Sequence, residues 1–286
     1  MTWHVTGDVD AFLRLAGPFL RSRPVLHTVP LTVTERLRTE GPAAYGGAAP
    51  VLGALERDGA VRAVWFRTPP HGIVLTPLAA EEADTLAGHL AGLGHVLPGL
   101  QADRGTAVAF ADAWRRHTGA EATLLLRQRL YRLAEPVSPE PSPPGRARVA
   151  TEADLDLLTG WFDAFAADVG RGAAVREAGD RVALRVRDGR LLLWETPDGT
   201  PVAMAGTHPM VAGQIRIGPV YTPPERRGHG YAAAATDAVG RAALAAGAEE
   251  VLLFADLANP TSNGVYRRVG HRGVADFAVY GFSAPG

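Results

Sequence analysis

A chain of 286 residues accommodates two domains of roughly 130–140 residues each, and 47% hydrophobic with 21% charged residues is an ordinary globular composition. A net charge of −1 excludes a global basic field for nucleic acid or an anionic membrane, and the absence of Cys excludes thiol nucleophiles, disulfides and thiolate metal sites. All 29 basic residues are Arg, and the nine His residues lack paired ligand spacing on any helix, so no metal is expected.

The opening MTWHVTGDVD does not read as a signal peptide, and no apolar run approaches the roughly 20 residues that span a bilayer. A soluble cytoplasmic protein, with no membrane or nucleic-acid partner, is the expectation. In the first half Val9–Leu20 reads as an amphipathic helix. Val51–Leu55, Ala63–Arg67 and Gly72–Leu78 read as strands, Glu81–Gly92 and Gly105–His117 as helices, and Ala122–Leu133 as a closing strand. Ala-Trp-Arg-Arg-His117 is a basic cluster that reads as a solvated helix face.

Pro136-Val-Ser-Pro-Glu-Pro-Ser-Pro-Pro144 carries five prolines, which remove backbone donors and favour extended geometry. It predicts a linker at 135–145 between domains at 1–134 and 146–286.

The second half is more explicit. Ala147–Ala150 reads as a strand, and Thr151 with Asp154 forms a near capping box for a helix whose buried face is Leu155, Leu158, Phe162 and Phe165. After a poorly defined stretch to about Asp188, Leu191–Glu195 and Val202–His208 read as strands around the turn Pro197-Asp-Gly199. Gln214–Thr222 is a further strand, followed by a Gly-rich turn and a helix through Ala246 that Gly247 stops. Ala235, Ala238, Ala242 and Ala245, with Val239 alongside, give that helix a small packing face. Val251–Ala255 is a strand, Pro260–Val269 a short helix and Ala275–Phe282 a last strand. The order is mixed α/β. The helix-then-strand tail of the first half, ending in Leu130-Tyr-Arg-Leu133, loosely parallels the end of the second and suggests two related folds in tandem.

Chemistry concentrates in Val220-Tyr-Thr-Pro-Pro-Glu-Arg-Arg-Gly-His-Gly-Tyr-Ala232, a strand turning into a helix. A helix N-terminus presents unpartnered N–H groups and positive potential. Gly228 and Gly230 admit an anion close to the backbone, and Arg227 can add a charged donor, which together suit a diphosphate. A glycine pair between strand and helix also serves as a plain tight connection. The second element is Asn259-Pro-Thr-Ser-Asn-Gly-Val-Tyr266-Arg-Arg-Val-Gly270. Asn259, Ser262, Asn263 and Tyr266 can share one helix face, with polar groups for a pantetheine arm and a phenol to protonate a leaving thiolate. The competing structural reading makes Asn259 a helix cap and Tyr266 half-buried packing.

These two blocks, in this order and spacing, resemble the acetyl-CoA signature of the GNAT superfamily of N-acetyltransferases. Arg227, Gly230 and Ala232 match its Gln/Arg-x-x-Gly-x-Gly/Ala motif, and Asn259 with Tyr266-x-x-x-Gly270 matches its late cofactor and acid element. His271 departs from the aromatic residue that usually follows. The resemblance covers roughly Arg146–Phe282. It implies a mixed, mostly antiparallel sheet flanked by helices, with acetyl-CoA as cosubstrate and an amine of a small molecule or protein as acceptor. The strand residues Val220, Tyr221 and Thr222 would line the acetyl and pantetheine parts, with backbone contacts from Val220 and Thr222. Gly228, His229, Gly230, Tyr231, Ala232 and Ala233 would hold the diphosphate, Asn259 the pantetheine, and Tyr266 would be the acid. A backbone N–H near Thr222 would stabilise the developing oxyanion.

Glu195 and His208, each near a strand end, are candidates for the general base, with a water chain as the alternative. The acceptor is expected between the loop near Val169–Val175 and the strand ends carrying those two residues. The first half has no second Arg-x-x-Gly-x-Gly/Ala motif, so if it shares the fold it is expected to have lost its cradle. No nucleophile elbow is present, which argues against a Ser hydrolase. A non-catalytic acyl-CoA sensor or interaction module is the alternative, and Tyr266 disfavours it because a sensor needs no thiolate acid.

Overall fold

The computed structural model of the protein describes residues 2–46, 48–169 and 179–284. It divides into two compact units. The first runs to Leu130 and takes in Asp256–Ala258 and the chain from Ala275 on; the second comprises Tyr131–Ala255 and Asn259–Val274. Among the described residues no helix is long and apolar enough to cross a membrane.

In the first unit β1 (Thr2–Thr6), β2 (Val51–Arg57), β3 (Ala60–Arg67), β4 (Ile73–Leu75) and β5 (Gly99–Asp103) lie side by side in that order. The C-terminal part of β12 (His271–Ser283) follows β5, pairing Phe277–Gly281 antiparallel with it. Only β4 and β5 pair in parallel. Around the strands are α1 (Val9–Ser22), α2 (Thr28–Glu40), α3 (Ala80–Gly92) and α4 (Arg104–Thr118), after which β6 (Glu121–Leu133) leads into the second unit. Trp65, Leu86, Leu90, Phe110 and Trp114 fill the core.

Sequence patterning misses β1, α2 and β5. The α2 segment is rich in Thr and Val, which favour strands, but its hydroxyls bond back onto the helix: Thr32 Oγ1 to the Thr28 carbonyl and Thr34 Oγ1 to that of Pro30, both at 2.8 Å. Strand β5 begins on Gly99, where an added Cβ would sit 2.3 Å from the Tyr280 carbonyl oxygen, so backbone proximity rather than strand propensity decides it.

In the second unit the order across the sheet is β11 (Glu250–Asp256), β10 (Gln214–Tyr221), β9 (Pro201–Thr207), β8 (Leu191–Glu195) and β7 (Arg146–Val149). All neighbours pair antiparallel except β10 and β11. The helices are α5 (Leu155–Asp168), α6 (Gly179–Arg187), α7 (Tyr231–Ala245) and α8 (Pro260–Arg268). Both units thus contain a parallel strand pair joined through a helix, β4–α3–β5 and β10–α7–β11, which supports the tandem reading. The Thr151–Asp154 capping box forms as expected. In α7 the buried stripe is Ala235, Val239 and Ala243, whereas Ala242 and Ala245 face solvent. This corrects the face expected from sequence: alanines on every side of a helix do not mark which side is buried.

Residues 135–145, expected as a linker, belong to the second unit and are held on it. Arg241 donates from Nη2 to the Pro136 carbonyl at 3.2 Å and to Ser138 Oγ at 3.1 Å, Ser138 donates to Asp237, and Trp194 Nε1 donates to the Pro144 carbonyl at 3.2 Å.

Candidate active site

The site starts from an irregularity in β10. Its parallel pairing with β11 ends at Ile217–Leu253, four residues before the strand does, and its register against β9 shifts between Ile217 and Val220. Arg185 of α6, only 6% exposed, donates from Nη1 to the Thr207 carbonyl at 2.8 Å and the Gly218 carbonyl at 3.1 Å. A guanidinium thereby occupies carbonyls at the bulge. Beyond it Val220, Tyr221 and Thr222 run past the end of the β11 ladder. Tyr221 and Thr222 are buried, and Thr222 Oγ1 has no hydrogen-bond partner among the described residues.

After a short 3-10 turn at Pro224–Arg226 the chain reaches Gly228 and Gly230, with φ of +83° and +82°. These left-handed angles strain any residue with a Cβ, which is why glycine stands at both. A Cβ at Gly228 would meet nothing within 4 Å, and one at Gly230 would lie 3.8 Å from the ring of Pro143, so the angle and not crowding is decisive. Gly230 caps α7, whose N-terminus has no side-chain cap and no acidic residue in its first turn. The expected cradle residues Gly228, His229 and Gly230 are exposed, while Tyr231 and Ala233 turn into the core and Ala232 is half-buried. His229 stacks on Tyr231 with ring centroids 5.7 Å apart, and its Nδ1 lies 2.9 Å from the Arg227 carbonyl oxygen.

Arg227 is engaged on two sides. Its Nε donates to the Thr222 carbonyl at 3.0 Å and its Nη2 to Asp168 Oδ2 at 2.5 Å, with the guanidinium 5.9 Å from the centre of the Tyr221 ring.

In α8 the four polar residues expected on one face separate. Asn259 is the N-cap, its side chain accepting from the Ser262 N–H at 3.0 Å. Ser262 is half-buried beside it. Asn263 turns inward, donating from Nδ2 to the Asn259 carbonyl at 2.7 Å and accepting from the Tyr131 hydroxyl at 2.7 Å. Tyr266 packs on the core cluster that also carries Val220 and Tyr231. Its hydroxyl has no hydrogen-bond partner among the described residues, and desolvation pushes its pKa up to about 12, so the phenol keeps its proton at neutral pH. His271 meets the Tyr266 ring edge-on, centroids 6.1 Å apart. It is 1% exposed, and among the described residues neither ring nitrogen has an aligned partner. Burial lowers its pKa to about 4, the nearby Tyr266 backbone offsetting part of the shift.

The two candidate bases differ. Glu195 receives Arg146 Nε at 2.8 Å on one oxygen and Arg148 Nε at 2.6 Å on the other, and these guanidinium groups lower its pKa. Arg148 also forks onto Asp154 at 2.7 and 2.8 Å. Both oxygens of Glu195 are committed, which suits an ion pair rather than proton abstraction. His208 follows β9 and is half-buried, its backbone N–H donating to the Arg216 carbonyl at 2.8 Å. Residues 170–175 of the expected acceptor loop lie outside the described residues.

Sequence reasoning gives Asp168, Arg185, Tyr131 and Pro143 no part in the site: the first two sit in no recognisable motif, and the last two read only as parts of a strand and a proline-rich linker. In the first unit, the turn between β4 and α3 has no glycine, and Glu82 at the head of α3 accepts from the Ala79 N–H at 2.9 Å with Glu81 beside it. Carboxylates there oppose an anion. Among the described residues no cluster of metal-ligating side chains occurs.

Residues 156–271 match the sequence model described as the acetyltransferase (GNAT) family. No curated protein matches in sequence. Among solved structures, a GCN5-related N-acetyltransferase from Sphaerobacter thermophilus is similar with TM-score 0.65 at 18% identity, over 97% of this chain and 94% of that one. A GNAT-family acetyltransferase from Colwellia psychrerythraea gives 0.62 at 11% identity, over 99% of each chain. A tandem GNAT protein from the clavulanic acid biosynthesis pathway gives 0.59 at 13% identity, over 100% of this chain and 99% of that one. At these identities the likeness is one of fold, and it extends over both halves. The chain therefore has the GNAT acetyltransferase fold, in a tandem arrangement whose family sequence signature is recognised in residues 156–271.

Proposed function

We propose that the protein is an N-acetyltransferase that moves an acetyl group directly from the thioester of acetyl-CoA to an amine of a small molecule or protein. The observation that carries this reading is the uncapped N-terminus of α7, entered through two left-handed glycines where β10 has run beyond its β11 ladder, with the Tyr266 phenol on the same core cluster. The family match and the fold support acyltransferase function in general.

In this reading the N–H groups at the head of α7 hold the diphosphate, each contributing about 1.5–3 kcal/mol to a charged oxygen. Val220 and Thr222 line the acyl and pantetheine parts with their backbone, and a backbone N–H near Thr222 receives the oxyanion. Asn259, whose side chain caps α8, borders the pantetheine. When bound, acetyl-CoA supplies an activated thioester. The amine nitrogen bonds to the thioester carbon, the carbon–sulfur bond breaks, and Tyr266 gives its proton to the departing sulfur. His208 is the candidate to take the amine proton. Thr207 pairs with Ile217, the last residue before the bulge, which puts His208 within one residue of it; Glu195 pairs with Pro201, four residues from Ala205, the partner of Val220.

The test is release of free CoA from acetyl-CoA by the full-length protein across a library of amines. Release with a matching acetylated amine supports the reading, and failure to bind acetyl-CoA at millimolar concentration ends it.

A further inference from the structure

We infer that Asp168 and Arg227 form a clasp that competes with the cofactor diphosphate, so that cofactor binding frees the last turn of α5. The inference rests on the reading above that the head of α7 receives a diphosphate. Arg227 stands next to that site, yet its Nη2 is tied to Asp168 and its Nε to the Thr222 carbonyl. A guanidinium offers five N–H donors along fixed edges, so these two bonds direct it away from full use by a phosphate.

The clasp joins two elements. Asp168 is the final residue of α5, and two turns earlier Trp161 lies 6.0 Å from Tyr221, the ring beneath the guanidinium. The middle of α5 is thus attached to β10 by an aromatic contact, and its C-terminal end to the turn after β10 by an ion pair. The aromatic attachment is indifferent to charge. The ionic one is exposed, with side-chain accessibilities of 50% for Arg227 and 46% for Asp168. Pairs this exposed are weak and salt-screened, and a diphosphate beside the same guanidinium brings more charge than one carboxylate.

Asp168 also sits where a helix least favours an acid. The C-terminal end of a helix dipole is negative, so a carboxylate there is unfavourable unless a cation answers it. Arg227 is that cation. Once it turns to the diphosphate, the last turn of α5 loses its compensation and loosens. If Asp168 served only to hold Arg227 in place for the cofactor, its removal would weaken binding; if it competes, its removal tightens binding.

The test is calorimetric titration of the full-length protein with coenzyme A at low and high salt, using wild type, Asp168→Asn, Asp168→Ser, Arg227→Gln and the Asp168→Asn/Arg227→Gln pair. The clasp predicts about two- to five-fold tighter binding for both Asp168 variants at low salt, shrinking at high salt and vanishing when Arg227 is absent. It also predicts faster amide hydrogen exchange at Ala166–Asp168 when CoA is added to wild type. Unchanged or weaker binding by the Asp168 variants, or equal tightening without Arg227, overturns the clasp while leaving the cofactor reading intact. A wild type that does not bind CoA overturns both.

Discussion

Tyr131 donates its hydroxyl proton to Asn263 Oδ1 at 2.7 Å, and Asn263 passes the interaction on to the Asn259 carbonyl at the head of α8. The bond anchors the helix that carries Tyr266, and it uses the side chain of Asn263 for that anchorage. Replacing Asn263 by Ala leaves the Tyr131 hydroxyl, in a residue 2% exposed, without this acceptor. The expected cost is about 1–3 kcal/mol, and Tyr131→Phe, which takes the donor from the buried Asn263 Oδ1, falls in the same range. Urea denaturation at constant m-value checks both, and an unshifted midpoint for Asn263→Ala would remove the anchoring role.

Tyr266→Phe keeps the ring packed between Tyr131 and His271 and deletes only the hydroxyl that carries the proton. Turnover is expected to fall by about 10²-fold with coenzyme A affinity nearly unchanged, the lower end of what a general acid contributes. Steady-state kinetics beside a binding titration separate the two. Undiminished turnover would exclude the phenol as the acid.

Gly230→Ala places a Cβ on a residue at φ +82°. The backbone strain is about 1–2 kcal/mol, and relieving it rotates the N–H groups at the head of α7. Coenzyme A binding should weaken along with thermal stability. A control substitution at Gly92, within α3 and with open space around its Cβ position, should leave coenzyme A affinity unaltered.

His271 contributes to the acid limb of stability, as does buried His27, whose pKa burial also lowers. The His271 pKa falls from 6.5 to about 4 on folding because burial disfavours the imidazolium, so between these values the unfolded chain binds more protons than the native one. The His271 contribution is then fully present above about pH 6.5, declines as pH drops through that window, and is lost below about 4, a change of about 3 kcal/mol. His271→Phe should flatten this limb. Denaturation midpoints at neutral pH and near pH 4 report it, and an equally steep loss in the variant would assign the acid sensitivity elsewhere.

The strands of the second half are legible because Leu191–Glu195, Gln214–Tyr221 and Val251–Ala255 are apolar runs bounded by turn residues, and because Gly228, Gly230 and Gly247 punctuate the helix between them. Helix α2 is not, since Thr and Val vote for strand and nothing in the sequence shows the hydroxyls of Thr32 and Thr34 bonding to carbonyls one turn back. The motif blocks single out the turn before α7 and the helix α8, but spacing alone could not say that Asn263 points inward or that Arg227 is tied to Asp168. An acid closing a helix carries no motif. Its meaning arises only from a partner 59 residues away. Glu195 illustrates the reverse, a strand-end carboxylate that looks available until Arg146 and Arg148 converge on it.

Because residues from Ala275 to Ser283 complete the sheet of the first unit beside β5, the gene does not divide into two interchangeable cassettes. A fragment cut at the proline-rich segment would carry off a strand that its own half does not use, and would forfeit both the Tyr131 hydroxyl and, at Pro143, the ring that backs Gly230. Laboratory excision of the signature-bearing half meets the same constraint.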